Sequence, residues 1–133
     1  MEQIAAPEAS LTEREQHLLG QLEVASEVIQ DAIGRRAPLR RAMVFLSVAS
    51  YPGISQLEVA NQVDGPASTI HTDLQALAET DRHGRPGRKL IERYREAPFG
   101  SRFLYRLTAA GERVIERLEN ALPDEPDVLT AAH

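Results

Sequence analysis

Gly53-Ile-Ser-Gln-Leu-Glu-Val-Ala-Asn-Gln-Val-Asp-Gly-Pro-Ala-Ser-Thr-Ile-His-Thr-Asp-Leu-Gln-Ala-Leu77 is the stretch whose reading decides the fold. Ser55 followed by Glu58 has the spacing of a capping box, in which the hydroxyl accepts from an amide one turn in and the carboxylate reaches back. A helix is expected to start there. Asp64-Gly65-Pro66 should end it, with glycine relieving the left-handed turn and Pro66 suited to the first position of a second helix, Pro66 to about Ala78. Advancing each residue by about 100° puts Ile70, Leu74 and Leu77 on one face of that second helix. Ser68, His71, Thr72 and Gln75 fall on the opposite face.

That second face offers hydroxyls, an imidazole and an amide, and no charge. Such groups suit base edges in a major groove, although a solvated helix face has the same composition. The order helix, turn, helix therefore reads as a helix-turn-helix, and its surroundings decide whether it recognises anything.

The net charge of −5 argues against a nucleic-acid partner only as an average, because the charge is segregated. Residues 1–34 carry seven acids and one arginine, whereas 35–41 carry four arginines and no acid. Residues 42–81 hold five acids and no base; 82–106 then hold eight bases against Glu92 and Glu96, and 107–133 return to six acids against two bases. Two basic segments thus flank the second helix. Fourteen of the fifteen bases are arginine, which suits bidentate contacts to phosphate and guanine, although genomic base composition explains it equally well.

Outward from this centre, residues 1–9 show no pattern and read as a flexible terminus. Ser10 with Glu13 has capping-box spacing, so a helix is expected over 10–34, stopped by Gly34. Its stripe of Leu11, Leu18, Leu22, Ala25 and Ile29 is long for one chain of 133 residues. It reads either as a dimerisation arm, completed by Val114 and Leu118, or as packing on its own domain. A helix from Leu39 to about Ser50 places Leu39, Met43, Leu46, Val44 and Val48 at core spacing. Arg40 and Arg41 at its start oppose the helix dipole, so a phosphate, Asp31 or Asp73 should hold them. Ile54 can form a short strand. Lys89–Arg95 and Phe103–Leu107 alternate as two strands of a hairpin, a small β-wing studded with arginine. Thr108 opens a last helix to about Leu122, and the acidic residues 123–133 read as a disordered tail.

The order helix, short strand, helix, helix, two-stranded wing, helix resembles a winged helix-turn-helix, mainly α with a small β-wing. The matching residues are Pro52-Gly53-Ile54-Ser55-Gln56-Leu57-Glu58-Val59-Ala60, Ser68-Thr69-Ile70 and Arg106-Leu107-Thr108-Ala109-Ala110-Gly111, and they resemble MarR-like transcriptional regulators over about Leu39 to Leu122. The resemblance implies a winged-helix DNA-binding domain over 38–122 and a homodimer that binds double-stranded DNA, recognition helices in adjacent major grooves and wings near minor grooves. The DNA-binding candidates are then Ser55, Gln56, Pro66, Ala67, Ser68, Thr69, His71, Thr72 and Gln75 from the motif. Arg40, Arg41, Arg85, Arg88, Arg93, Arg95 and Arg102 are the candidates for backbone contact. This chain departs from the family at the wing tip, which reads Pro98-Phe99-Gly100-Ser101-Arg102 and leaves Arg102 alone where the family has an Asp-Arg pair. It also has less helix after the wing, which leaves a small-molecule effector open. The sign of regulation is expected to be repression, and a winged-helix module that binds another protein is the alternative.

Enzymatic readings do poorly. Ser68, His71 and Asp73 share one helix, on which Asp73 points away from Ser68, and His17, His71, His83 and His133 show no ligand spacing, so neither catalysis nor a metal or other cofactor is expected. Gly84-Arg85-Pro86 is similar to the core of an AT-hook; minor-groove reading, phosphate contact and a plain connector all remain open for it. No apolar run approaches the roughly 20 residues that span a bilayer. A cytoplasmic protein, nucleoid-associated when bound to DNA, is expected.

Overall fold

A computed structural model describes residues 11–79, 84, 87–96, 100 and 102–122. The expectations for residues 1–9, Arg85, most of the wing tip and the acidic tail lie outside them. The described elements are α1 (Glu13–Ile33), α2 (Leu39–Ser50), β1 (Ile54–Ser55), α3 (Gln56–Val63), α4 (Ala67–Leu77), β2 (Ile91–Arg95), β3 (Phe103–Leu107) and α5 (Ala109–Ala121). The three strands form one antiparallel sheet in the order β1-β3-β2, with Arg93 opposite Tyr105 and Arg95 opposite Phe103.

Local signals set most of the boundaries. Ser55 accepts from the Glu58 amide while the Glu58 carboxylate accepts from the Ser55 amide, so the expected capping box of α3 forms. The cap of α1 sits two residues later than expected: Thr12 and Glu15 close the box. Two overlapping Ser/Thr-x-x-Glu patterns stand there, and only one residue can be the N-cap. The end of α3 differs in a similar way. Asp64, not Gly65, takes the left-handed conformation (φ 61°), which Asp tolerates because its short polar side chain can bond locally. Pro66 is the N-cap of α4 in extended backbone.

The core joins Val28 and Ile33 of α1, Val44, Phe45 and Val48 of α2, Val59, the Ile70-Leu74-Leu77 face of α4, Leu90, Ile91, Tyr105 and Val114. Gly111 is required where α5 meets the sheet, since a Cβ there would collide with the Leu90 carbonyl. Thr108 at the helix start caps Gly111 and donates its hydroxyl to the Lys89 carbonyl at 2.7 Å, tying α5 to the foot of β2.

Two expectations about apolar faces are corrected. Of the five residues of α2 expected at core spacing, Val44 and Val48 are buried, joined by Ala42, Phe45 and Ser47, whereas Leu39, Met43 and Leu46 are exposed. A helix apolar nearly all round does not reveal by spacing which strip its neighbours will cover. Val114, assigned to the dimer stripe, lies in the chain's own core, and Ile29 and Leu118 pack against it. Leu11, Leu18 and Leu22 remain exposed.

Candidate nucleic-acid interface

The helix α4 is fixed by a charge cluster on its buried side. Asp73 is 0% exposed, and its carboxylate accepts from Arg40 Nε at 2.6 Å, from Arg40 Nη2 at 3.3 Å and from Arg41 Nε at 3.0 Å. This answers what holds two arginines against the dipole at the start of α2: Asp73 does so, while Asp31 pairs with Arg117 on α5. Arg40 and Arg41 are therefore corrected from backbone ligands to internal partners of the helix. The hydrogen bond to Asp73 holds the Arg40 guanidinium above its ordinary pKa, against an opposing effect of burial.

Several polar groups of the motif are also occupied within the chain. The Ser55 hydroxyl is buried as a cap and is corrected from the list of candidates that could meet a ligand. Gln56 spans the turn: its amide donates to the Ala67 carbonyl at 3.1 Å, and its carbonyl oxygen lies 3.4 Å from His71 Nδ1. Thr72 donates its hydroxyl to the Ser68 carbonyl at 3.0 Å, one turn back. Pro66, Ala67 and Ser68 are exposed, and Thr69, His71, Thr72 and Gln75 are half-buried.

Between α4 and the hairpin lies a cleft of about 600 Å³, with His71, Gln75 and Glu79 along the helix side and Lys89, Glu92, Arg93 and Tyr105 along the strand side. Leu74, Ala78 and Ile91 also line it. Among the described residues no group of three or more His, Cys, Asp or Glu is placed to hold a metal ion, and no helix is long and apolar enough to cross a membrane.

No family model matches the chain, and no curated protein matches it. Solved structures do. MepR from Staphylococcus aureus in complex with DNA superposes with a TM-score of 0.58 at 15% identity, over 83% of this chain and 82% of that one. PcaV, a transcriptional regulator from Streptomyces coelicolor in complex with its natural ligand, gives 0.51 at 25% identity, over 94% and 85%. MarR gives 0.52 at 22%, over 91% and 83%. The chain has the MarR-like winged-helix fold.

In this MarR-like frame α4 stands in the position of the recognition helix and β2–β3 in that of the wing. Pairing across the hairpin puts Arg93, Arg95, Phe103 and Tyr105 on one face, and both guanidiniums stand over the Phe103 ring, at 4.1 and 4.7 Å from its centroid. Arg106 on the other face bonds Glu92 and stacks on Tyr94. Arg102, at the edge of the tip, is bound to Glu96 at 2.7 Å in an exposed pair. Arg88 turns away: its backbone amide donates to the Ala76 carbonyl of α4 at 3.0 Å, but its guanidinium rests against Gly34 at the end of α1, which corrects it from a candidate for contact with the DNA backbone. The alternation of the strands announced the arginines but not their aromatic support, because the cross-strand partner of each depends on the hairpin register.

Burial raises the Tyr105 phenol above its ordinary pKa, against a smaller opposing effect of the Arg93 guanidinium beside it. The folded chain thus favours the neutral phenol. That contribution to stability is fully present below the ordinary value of about 10 and is lost as pH rises through the folded value. In a tyrosinate absorbance titration the Tyr105 phenol is expected to ionise late, and Tyr105→Phe should remove this late step. A late step that persists in the variant would mean that burial does not hold the Tyr105 phenol neutral.

Proposed function

We propose that this chain is a sequence-specific regulator of transcription that binds double-stranded DNA as a homodimer and represses by occupying its operator. The cleft carries the reading: His71 and Gln75 of α4 stand on one wall with Glu79 at its end, and Lys89 and Arg93 stand on the other with Glu92 between them, so an uncharged polar helix face and two cations flank one groove. In this reading residues 38–122 form the DNA-binding unit, and α1, expected from the sequence over 10–34, supplies dimerisation. The uncharged end of α4 enters a major groove, while Arg93, Arg95 and Arg102 meet backbone phosphates or an adjacent minor groove. The likeness of fold to MepR, solved in complex with DNA, supports it.

Selection of bound duplexes from random DNA tests the proposal. Enrichment of an inverted repeat, whose half-sites are spaced by about one helical turn, is expected of two recognition helices related by a twofold axis. Recovery of unenriched sequence would remove specific recognition.

Once a site is known, Ser68→Ala and Gln75→Ala should each lose on the order of 1–3 kcal/mol of discrimination at one or two base pairs. Thr72→Ala should lose less, because its proton is already donated to Ser68. Competition between the site and single-base variants measures this, and equal weakening on site and random duplex would reassign these side chains to the backbone.

A further inference from the structure

Among the described residues two apolar strips are left uncovered, and they are on different helices. The first is the outer half of α1. Leu18 and Leu22 are 53% and 54% exposed, and Leu11 just before the helix is 43% exposed, yet Leu18 and Leu22 continue the same stripe that closes on the core through Ile29. The second is the strip of α2 formed by Leu39, Met43 and Leu46, of which Leu39 is 77% exposed. At about 100° per residue these three and Ser50 fall within one narrow strip that no charged residue interrupts.

The chain cannot join the two by itself. The helix α1 is continuous from Glu13 to Ile33, and its inner half is fixed on the core by Val28 and Ile33 and by the Arg117–Asp31 pair. The outer half therefore extends along the same axis and cannot fold back onto its own α2. The charges beside the strips are opposite in net sign. Glu13, Glu15 and Glu23 outnumber Arg14 along the outer half of α1, whereas in the connector before α2 Arg36 is exposed beside Arg35, which is paired with Glu27 of its own α1 at 2.9 Å, and Arg40 and Arg41 share the single carboxylate of Asp73.

We propose that the outer half of α1 from one protomer docks on the Leu39-Met43-Leu46 strip of its partner, and reciprocally. A twofold axis covers both strips of both chains at once, as an isologous interface requires. This rests on the homodimer reading and deepens it by naming the surface that receives the arm.

The chain contains no cysteine, so single cysteines can report the contact directly. A Leu18→Cys chain carrying a size tag is mixed with an untagged Met43→Cys chain and oxidised, and the disulfide products are separated by mass. The tagged–untagged product should dominate over either symmetric one. A dominant Leu18→Cys symmetric product would mean that arms pair with each other, which overturns the docking and leaves the homodimer. A wild-type chain that is monomeric by light scattering at all concentrations would remove the homodimer and the docking together. As a second variant, Met43→Lys with Leu46→Lys alters residues exposed in the single chain, so the fold should persist by circular dichroism while the dimer dissociation constant rises at least tenfold. An unchanged dimer constant in that folded variant would also overturn the docking.

Discussion

Asp73→Ala is expected to lower the unfolding free energy by about 3 kcal/mol, the low end of what breaking a buried ion pair costs. The carboxylate is fully buried and accepts from two guanidiniums. The low end applies because those guanidiniums can turn outward: the Arg40 and Arg41 side chains are 38% and 23% exposed. Urea denaturation measures the loss as a shift in midpoint at unchanged slope. The converse change is the harsher one. Arg40→Ala with Arg41→Ala leaves Asp73 buried without either cation, and should cost at least as much as Asp73→Ala. If both variants unfold like the wild type, the cluster is not what fixes α4. The cluster links the start of α2 to the middle of α4; on the proposed function, any Asp73 variant that stays folded should therefore also lose discrimination between operator and random duplex.

The second large effect concerns the wing. Arg93→Ala with Arg95→Ala and Arg102→Ala should weaken binding to every duplex, roughly a hundredfold near physiological salt, if each arginine neutralises about one phosphate. The slope of log affinity against log salt should fall by about two to three units, since each phosphate contact contributes about 0.9. A fall nearer two is expected, because Arg102 is already bound to Glu96 and must leave that pair to meet a phosphate. Affinity measured on one duplex over a range of salt decides the matter, and an unchanged slope would remove the wing from the interface. Arg93 and Arg95 also rest on Phe103, so a thermal melt must accompany the measurement.

Much of the candidate interface was legible in the residues, and what was not follows a pattern. The polar face of α4 and the arginine-rich hairpin could be read from spacing alone. Their internal commitments could not. Gln56 is spent on Ala67 and His71, and the Thr72 hydroxyl on Ser68, which leaves Ser68 and Gln75 as the stronger candidates for reading bases. Arg88 sits in the basic segment, yet its guanidinium reaches the end of α1.

The sequence by itself determined the order of elements, the caps at Ser55 and Thr108, the breaks at Gly34 and around Pro66, and the buried face of α4. Each depends on residues three or four apart along the chain, where hydrogen bonds and side-chain periodicity act within one turn. Only the tertiary structure decided which strip of α2 faces the core, that Val114 belongs to that core, and that Asp73 rather than a phosphate holds Arg40 and Arg41. Those outcomes rest on groups far apart in sequence, as with Arg40 and Asp73 at a separation of 33 residues. Charge and hydropathy show that a side chain needs a partner, and only packing brings one within hydrogen-bonding distance.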